Sequence, residues 1–404
     1  MARTPRIRTR GRPDRLVVVM SDIEMGAGGA IDDFPNSPWL GDVLRRYLDP
    51  RFEDVHLDFV FNGDTFDTFK TSHRDAWPHH VTAELAVAKM ARVADAHPAF
   101  FAALRDILAR RGARASVQFV AGNHDLELLF PEVQEAVRGL LVPDERVRFH
   151  GHGFELGRAW FEHGSQLDPL FRVDPEVPFL EHEGQPILNL AWASVALLDV
   201  AMPLQWLLHH HDRLKPKKLV LDLVPEVREL LTSRAWSYWT RDFWRDYFGT
   251  KNPVKRISWT MLKEVVWRMA AGEVDVSMDD DFQRQVQEDD SYDLRVVGHV
   301  HEPGWWSFSG RRVLRTGALR DEFSLDREGL VQTAVNKTWG EVWMSGDEVV
   351  RAYLVDEAAP PRPPGTMPLS IFDVLPNVRA QLRNDAATDE ERKAWEAQEH
   401  EERR

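Results

Sequence analysis

The chain contains no cysteine. Disulfides, thiolate zinc sites and cysteine nucleophiles are therefore excluded, and any bound metal must be held by His, Asn, Asp or Glu. Missing cysteine leaves the compartment open, because reducing and oxidising environments both tolerate such a chain. Excess positive charge is lacking too. The formal net charge is -14, which argues against broad nucleic-acid binding driven by phosphate neutralisation. An anionic substrate stays compatible, since divalent cations can dominate the field inside a cleft. The first fifteen residues carry Arg3, Arg6, Arg8, Arg10, Arg12 and Arg15 but no apolar stretch before Leu16. A secretory signal needs an apolar region of about 7–15 residues after its basic start. The segment reads as a disordered basic arm, and the expected location is cytoplasmic. Ile187 to Leu208 is apolar and long enough to suggest a membrane span. Asp199 at its middle would cost roughly 2.5–3.5 kcal/mol on insertion scales, and Asn189 and Pro203 weaken it further. A buried or interfacial helix is the expectation.

What is present is ample. A chain of 404 residues with 43% hydrophobic content can bury a large catalytic core and still carry an insertion. Leu16 to Met20 is a short β-branched run that enters Ser21-Asp22, the pattern of a buried strand ending in a functional loop. His56 to Phe61 leads likewise into Asn62-Gly63-Asp64, and Ser116 to Ala121 into Gly122-Asn123-His124-Asp125. Val81 to Arg111 is Ala-rich and reads as one or two helices. Phe154 to Phe161 reads as a strand that delivers Glu162-His163-Gly164. Strands separated by helices imply βαβ units, with functional residues at the C-terminal strand ends. From about Asp168 to Asp290 the texture becomes Trp-rich and helical. Strand patterns resume at Leu294 to Val297 and Arg311 to Leu314. A hairpin follows over Thr338 to Val355, turning at Ser345-Gly346-Asp347. Ala359 to Gly365 is Pro-rich and reads as an extended linker. Glu390, Glu391, Arg392, Lys393, Glu396 and Glu399 suit a solvated terminal helix.

The strand ends gather a consistent set of oxygen and imidazole donors: Asp22 and Glu24, Asp64 and Asp67, Asn123 and His124, His163, then His299 and His301. Such donors suit Mn²⁺, Fe, Zn²⁺ or Mg²⁺ better than soft metals. The alternation His299-Val300-His301 places both imidazoles on one side of an extended segment. Gly63, Gly122 and Gly298 precede the donors, where glycine permits sharp turns and close approach of a phosphate.

In order, Ser21-Asp22-Ile23-Glu24, Gly63-Asp64-Thr65-Phe66-Asp67, Gly122-Asn123-His124-Asp125, His163-Gly164 and Gly298-His299-Val300-His301 resemble the motifs of calcineurin-like metallophosphoesterases. Gly-Asp-x-x-Asp alone is weak, whereas five motifs in order, each after an expected strand, are specific. They frame residues 16 to 301, and the trailing strands to about 355 fit that family's second sheet. The resemblance implies an α/β fold, a four-layer αββα sandwich with a helical cap insertion. It implies domains at 1–15 (basic arm), 16–167 and 291–356 (the two parts of the core), 168–290 (cap) and 357–404 (linker and tail). Carried over by position, one ion would be held by Asp22, Asp64, His301 and the residue at 24. A second would be held by Asp64, Asn123, His163 and His299, with Asp64 bridging. His124 matches the family's catalytic histidine, and Asp67 would orient it. The implied chemistry is hydrolysis of phosphate esters or pyrophosphates by water activated between two cations about 3.5–4 Å apart.

Glu24 departs from the family's Asp-x-His, replacing a neutral imidazole with an anion. If it ligates, the added charge favours a hard cation such as Mn²⁺ or Mg²⁺ over Zn²⁺. If it does not, the first metal position is weakened and a slow or single-metal enzyme results. Two other readings stand beside the hydrolase: a degenerate binding module, which Glu24 supports, and a nuclease, which the acidic surface opposes. Asp67 has a rival role as a helix cap, and Asp125 reads as a supporting or capping residue. His73, His79, His80 and the run His209-His210-His211 read as polar surface.

The segment 201–270 holds thirteen Lys/Arg and seven Asp/Glu, and includes Trp206, Trp236, Trp239, Trp244, Trp259 and Trp267. Basic and aromatic side chains together suit a cap over a phosphorylated or lipid-linked substrate, or peripheral contact with an anionic membrane. The alternative is a cap with its tryptophans packed inward. The insertion and Phe61-Asn62-Gly63-Asp64-Thr65-Phe66-Asp67 resemble the UDP-2,3-diacylglucosamine pyrophosphatase branch of the family. The chain departs from that branch at His124, where Arg is usual, and at Ser165-Gln166, where Asp would follow His-Gly. Substrate is therefore left open.

Overall fold

The computed structural model describes residues 12–249, 252–255, 263, 280–328, 331–363 and 370–386. The basic arm before Arg12, the tail beyond Ala386, and Trp259 and Trp267 lie outside them. Two compact units divide the chain.

The larger unit comprises Met1–Leu198, Lys251–Asp321 and Val335–Thr366. Its first sheet has six strands in the order Glu348–Glu357, Lys337–Ser345, Arg15–Met20, His56–Asn62, Ala115–Val120, Val147–His150. The four strands from Arg15–Met20 onward are parallel, and the hairpin Lys337–Ser345/Glu348–Glu357 is antiparallel. The second sheet orders Gly304–Phe308, Arg311–Arg315, Leu294–Val297, Ala159–Glu162 and Gly153–Leu156.

Alternation along each strand builds the layers. Val17, Val19 and Val60 of the first sheet meet Phe161, Leu294, Val296 and Leu314 of the second in one buried core. The opposite face of the first sheet carries Phe61, its ring centroid 5.1 Å from Phe100 of the helix Pro98–Arg111 and 5.1 Å from its stacked neighbour Phe119. On the far side of the second sheet, Phe282 and Val286 of the helix Asp280–Glu288 pack on Val297 and Val313. Helix, sheet, sheet, helix is the four-layer αββα arrangement expected.

The Ala-rich region forms two helices, Ala83–Ala96 and Pro98–Arg111. Proline at 98 has no N–H to continue the first helix and drives His97 out of the helical region, to φ -121° and ψ 45°. The expected strand Phe154 to Phe161 is instead a hairpin, Gly153–Leu156 with Ala159–Glu162. Gly157 turns it at φ +53°, and a Cβ there would lie 2.4 Å from the Asp347 carbonyl. Ile187 to Leu208 is not one helix. It spans the end of a strand, a helix over Trp192–Val200, a short 3-10 turn at Met202–Leu204 and the helical turn Gln205–Leu208. Among the described residues, no helix is long and apolar enough to cross a membrane.

The smaller unit comprises Asp199–Thr250, Glu322–Ala334 and Met367–Arg404. These limits differ from a cap at 168–290. The stretch after Asp168 first forms an antiparallel hairpin, Phe179–His182 with Gln185–Leu188, within the larger unit. Nor is everything beyond 357 linker and tail. Ile371, Val374 and Val378 are buried with Leu207, Val220 and Leu230, so a helix at Leu375–Ala386 completes this unit's core. His210 and His211, expected on the surface, are buried. His210 Nε2 faces Gln332 Oε1 at 2.8 Å, and His211 Nε2–H donates to the Ile371 carbonyl at 3.1 Å. Burial lowers the pKa of both to about 4, so they are neutral core histidines.

Candidate metal centre

Every donor singled out in the sequence follows a strand of the larger unit. Asp22 and Glu24 follow Arg15–Met20, Asp64 and Asp67 follow His56–Asn62, and Asn123 and His124 follow Ala115–Val120. From the second sheet, His163 follows Ala159–Glu162, and His299 and His301 follow Leu294–Val297. These strands run parallel within each sheet, so their loops emerge at one end. The loops are stitched together. The Ile23 and Glu24 amides donate to the Asp64 carbonyl at 2.9 Å, and the Gly298 amide donates to the His163 carbonyl at 2.7 Å.

The backbone accepts unusual conformations to do this. Asp22, Glu24, Asp64 and His299 all adopt positive φ, at 51°, 53°, 50° and 68°. Left-handed backbone at a non-glycine residue is costly and clusters where function over-determines the structure. The glycines permit close approach. A Cβ on Gly63 would lie 2.3 Å from the His163 ring, and one on Gly122 would lie 2.1 Å from Asp64 Oδ1.

Side chains then converge in two halves. In one, donor atoms of Asp64, His163 and His299 lie within 4.8 Å of one another. His163 Nε2 stands 3.1 Å from Asp64 Oδ2 and 3.2 Å from Asn123 Oδ1. His163 Nδ1–H donates to the Asn62 carbonyl at 3.1 Å, which fixes the tautomer with Nε2 turned inward, as metal ligation requires. Asp168 reaches to 3.8 Å from His299 Nε2. In the other half, His301 Nε2 lies 3.4 Å from Asp22 Oδ1 and 3.5 Å from Glu24 Oε1. Asp22 Oδ1 is buried and accepts no hydrogen bond, while Oδ2 accepts from Ser21 Oγ and the His299 amide. A buried carboxylate oxygen of this kind is suited to a cation. The first half fits a divalent ion; among the described residues the other set of donor atoms within 4.8 Å of one another is Glu24, Asp67 and His124, not one that includes Asp22 and His301.

His124 and Asp67 sit alongside, with Nδ1 of the imidazole 3.0 Å from Asp67 Oδ1. No helix follows Asp67, so it is not a helix cap; its Oδ1 accepts from the Lys70 amide at 2.9 Å within a turn. Burial alone would lower the pKa of His124, yet Glu24, Asp64 and Asp67 outweigh it and raise it to about 10. For His163 burial is likewise overcome, chiefly by Asp64, and the value rises to about 9. Asp64 is buried, but His163 and His124 hold it well below the usual carboxylate range. Asp67 is raised, because burial exceeds the pull of Lys70 and His124.

Two features, Lys70 and Arg320, escaped sequence reasoning, while Asp125 has the supporting role expected of it. Asp125 ties two loops together, its Oδ2 accepting from the Thr65 and Phe66 amides and its Oδ1 from Gly122. Lys70 and Arg320 both reach Glu24. Lys70 Nζ is 2.9 Å from Oε2, and Arg320 Nη1 is 2.8 Å from each oxygen. Nothing in the sequence around Arg320 resembles a site.

No family model and no curated protein matches the chain. Solved structures align over most of its length at low similarity. A predicted phosphoesterase from Streptococcus pneumoniae TIGR4 is 10% identical over 85% of this chain and 98% of its own, with a TM-score of 0.23. A putative 5'-nucleotidase from Staphylococcus aureus is 13% identical over 91% of this chain, with a TM-score of 0.32. The sulfate thiohydrolase SoxB from Thermus thermophilus is 10% identical over 94% of this chain, with a TM-score of 0.31. The chain spans 58% and 62% of the latter two.

Proposed function

We propose that the chain is a divalent-metal-dependent hydrolase of phosphate esters or pyrophosphates. The observation that carries this reading is the convergence of Asp64, His163 and His299, with Asn123, on one point at the strand ends. Three metal donors, an inward imidazole nitrogen and an adjacent carboxylate-held histidine suit hydrolysis better than a binding module, which needs no such set. Bound divalent cations would polarise a phosphoryl oxygen and lower the pKa of an attacking water. Mn²⁺ is the ion expected first, because the donors are mostly oxygen and imidazole.

The residues of the chain divide the remaining work. Asp22, Asp64, Asn123, His163, His299 and His301 would hold the ions. His124 carries a proton, and with Nδ1 turned to Asp67 its Nε2–H is left for the phosphoryl oxygen or the leaving group. The finer resemblance to the pyrophosphatase branch supports a lipid-linked nucleotide as one substrate class. An exposed aromatic stripe in the smaller unit supports peripheral contact with an anionic membrane. Trp236, Trp244 and Phe248 recur at multiples of four residues along the helical run Pro225–Gly249 and are exposed, beside Arg241 and Arg245. Trp244 and Phe248 are stacked, with ring centroids 5.9 Å apart.

The test pairs metal analysis of the purified chain with a panel of phosphomonoester, phosphodiester and pyrophosphate substrates. Turnover on one class that is abolished by chelation and restored by Mn²⁺ is expected. Asp64→Asn should remove that turnover along with the bound metal. Near wild-type activity in Asp64→Asn protein would refute the assigned site.

A further inference from the structure

Resting on the metal-dependent reading above, we infer that the two halves of the centre are unequal. The Asp64–Asn123–His163–His299 half takes the tightly held ion, and Glu24 is not a metal ligand but the anchor of a fixed cation pair, Arg320 and Lys70.

The geometry of Glu24 argues for this. Arg320 Nη1 is 2.8 Å from both carboxylate oxygens, so it lies on the bisector where a chelated cation would sit. Lys70 Nζ takes Oε2 again at 2.9 Å. Both cations also meet Asp33, Lys70 at 2.6 Å and Arg320 Nη2 at 3.3 Å. Two carboxylates and two cations thus form a buried quartet with no net charge left over to attract a divalent ion. Lys70 also lies 3.7 Å from Asp67, so the quartet borders the carboxylate that holds His124.

The cations are locked in place. The Arg320 amide donates to the Asp22 carbonyl at 2.9 Å, and Lys337 Nζ donates to the Arg320 carbonyl at 2.6 Å. Breaking one partner out of a buried ion cluster is strongly unfavourable, so an incoming ion does not displace Arg320. By contrast, no lysine or arginine contact is found for Asp64 among the described ion pairs; its partner is His163. That half therefore keeps an anionic carboxylate for a cation. What remains of the other half is Asp22 and His301, with Asp64 shared between the two, against four donors in the first half. An ion there is held more weakly.

The metal-free chain titrated with Mn²⁺ by calorimetry should show one tight equivalent. At one equivalent, electron paramagnetic resonance should give the hyperfine pattern of an isolated ion, not the spectrum of a coupled pair. Glu24→Gln keeps the shape and should leave that equivalent bound, because the described partners of its carboxylate are Arg320, Lys70, His124 and His301, none of them a donor of that half. His301→Ala should also keep it, whereas His163→Ala should lose it. Arg320→Met, if circular dichroism shows it folded, should gain a second tight equivalent from the unmasked Glu24. Two equal tight equivalents in the unaltered chain would overturn the inference, as would loss of an equivalent in Glu24→Gln. No Mn²⁺ binding at all would overturn the metal-dependent reading itself, which separates the two failures.

Discussion

His124 and Asp67 form the pair on which the proposed proton transfer turns. Replacing His124 with Ala should lower turnover by about 10²–10⁴-fold, the usual contribution of a positioned acid or base. Asp67→Asn, which keeps the shape but loses the charge, should cost about 10–100-fold. Mn²⁺ content should stay the same in both, since neither belongs to the ion-holding set. A steady-state series with metal analysis checks this, and metal loss in either variant would count against the division of roles. The same residues set a pH dependence. His163 is raised to about 9 and His124 to about 10, above the ordinary histidine value near 6.5. Groups raised on folding stabilise the native state fully below the unfolded value, and that contribution is lost as pH rises through the folded value. The metal-free chain should therefore lose thermal stability from about pH 7 to pH 10. Over the same interval Mn²⁺ affinity should rise, because His163 must shed its proton to ligate. Thermal melts with chelator and Mn²⁺ titrations at several pH values would show both trends. Flat curves would remove the proposed proton competition.

At the scale of elements, the strand ends were legible because each combines a β-branched run, a glycine and a donor within a few residues. The run Leu16 to Met20, for example, leaves Asp22 at a strand end, whatever the rest of the chain does. The tip of a hairpin was not legible over Phe154 to Phe161, since apolar residues on both sides of Gly157 mimic one long strand. Glu24 illustrates a deeper limit. Its position in the motif was plain, but its partners Lys70 and Arg320 lie 46 and 296 residues away, and only the folded chain brings them together. The glycines supply a test at this scale. Gly122→Ala would drive a methyl group onto Asp64, so overpacking should destabilise the fold by about 1–3 kcal/mol. Mn²⁺ binding should weaken with it. A neighbouring control, Gly139→Ala, meets nothing within 4 Å, and should leave binding unchanged.

For the molecule as a whole, composition anticipated a large core with an added helical segment, and the αββα layers bear out the fold. The division of the chain was harder to read. The smaller unit draws on three separate stretches, and the buried Val378 lies past a Pro-rich run that resembles a simple linker. Its exposed aromatic stripe predicts binding to vesicles of phosphatidylcholine with added phosphatidylglycerol, weakening as salt rises. Co-sedimentation of the full chain should fall when Trp236, Trp244 and Phe248 are all changed to Ala. Equal binding before and after that change would dismiss the stripe as a membrane contact. The four left-handed residues at the centre bear on any survey of substitutions across the chain. At Asp22, Glu24, Asp64 and His299 a β-branched replacement pays twice, once in lost chemistry and once in backbone conformation, whereas asparagine visits that region at little cost. Tolerance scores at these positions will therefore overstate chemical need, and asparagine is the replacement that reads it cleanly.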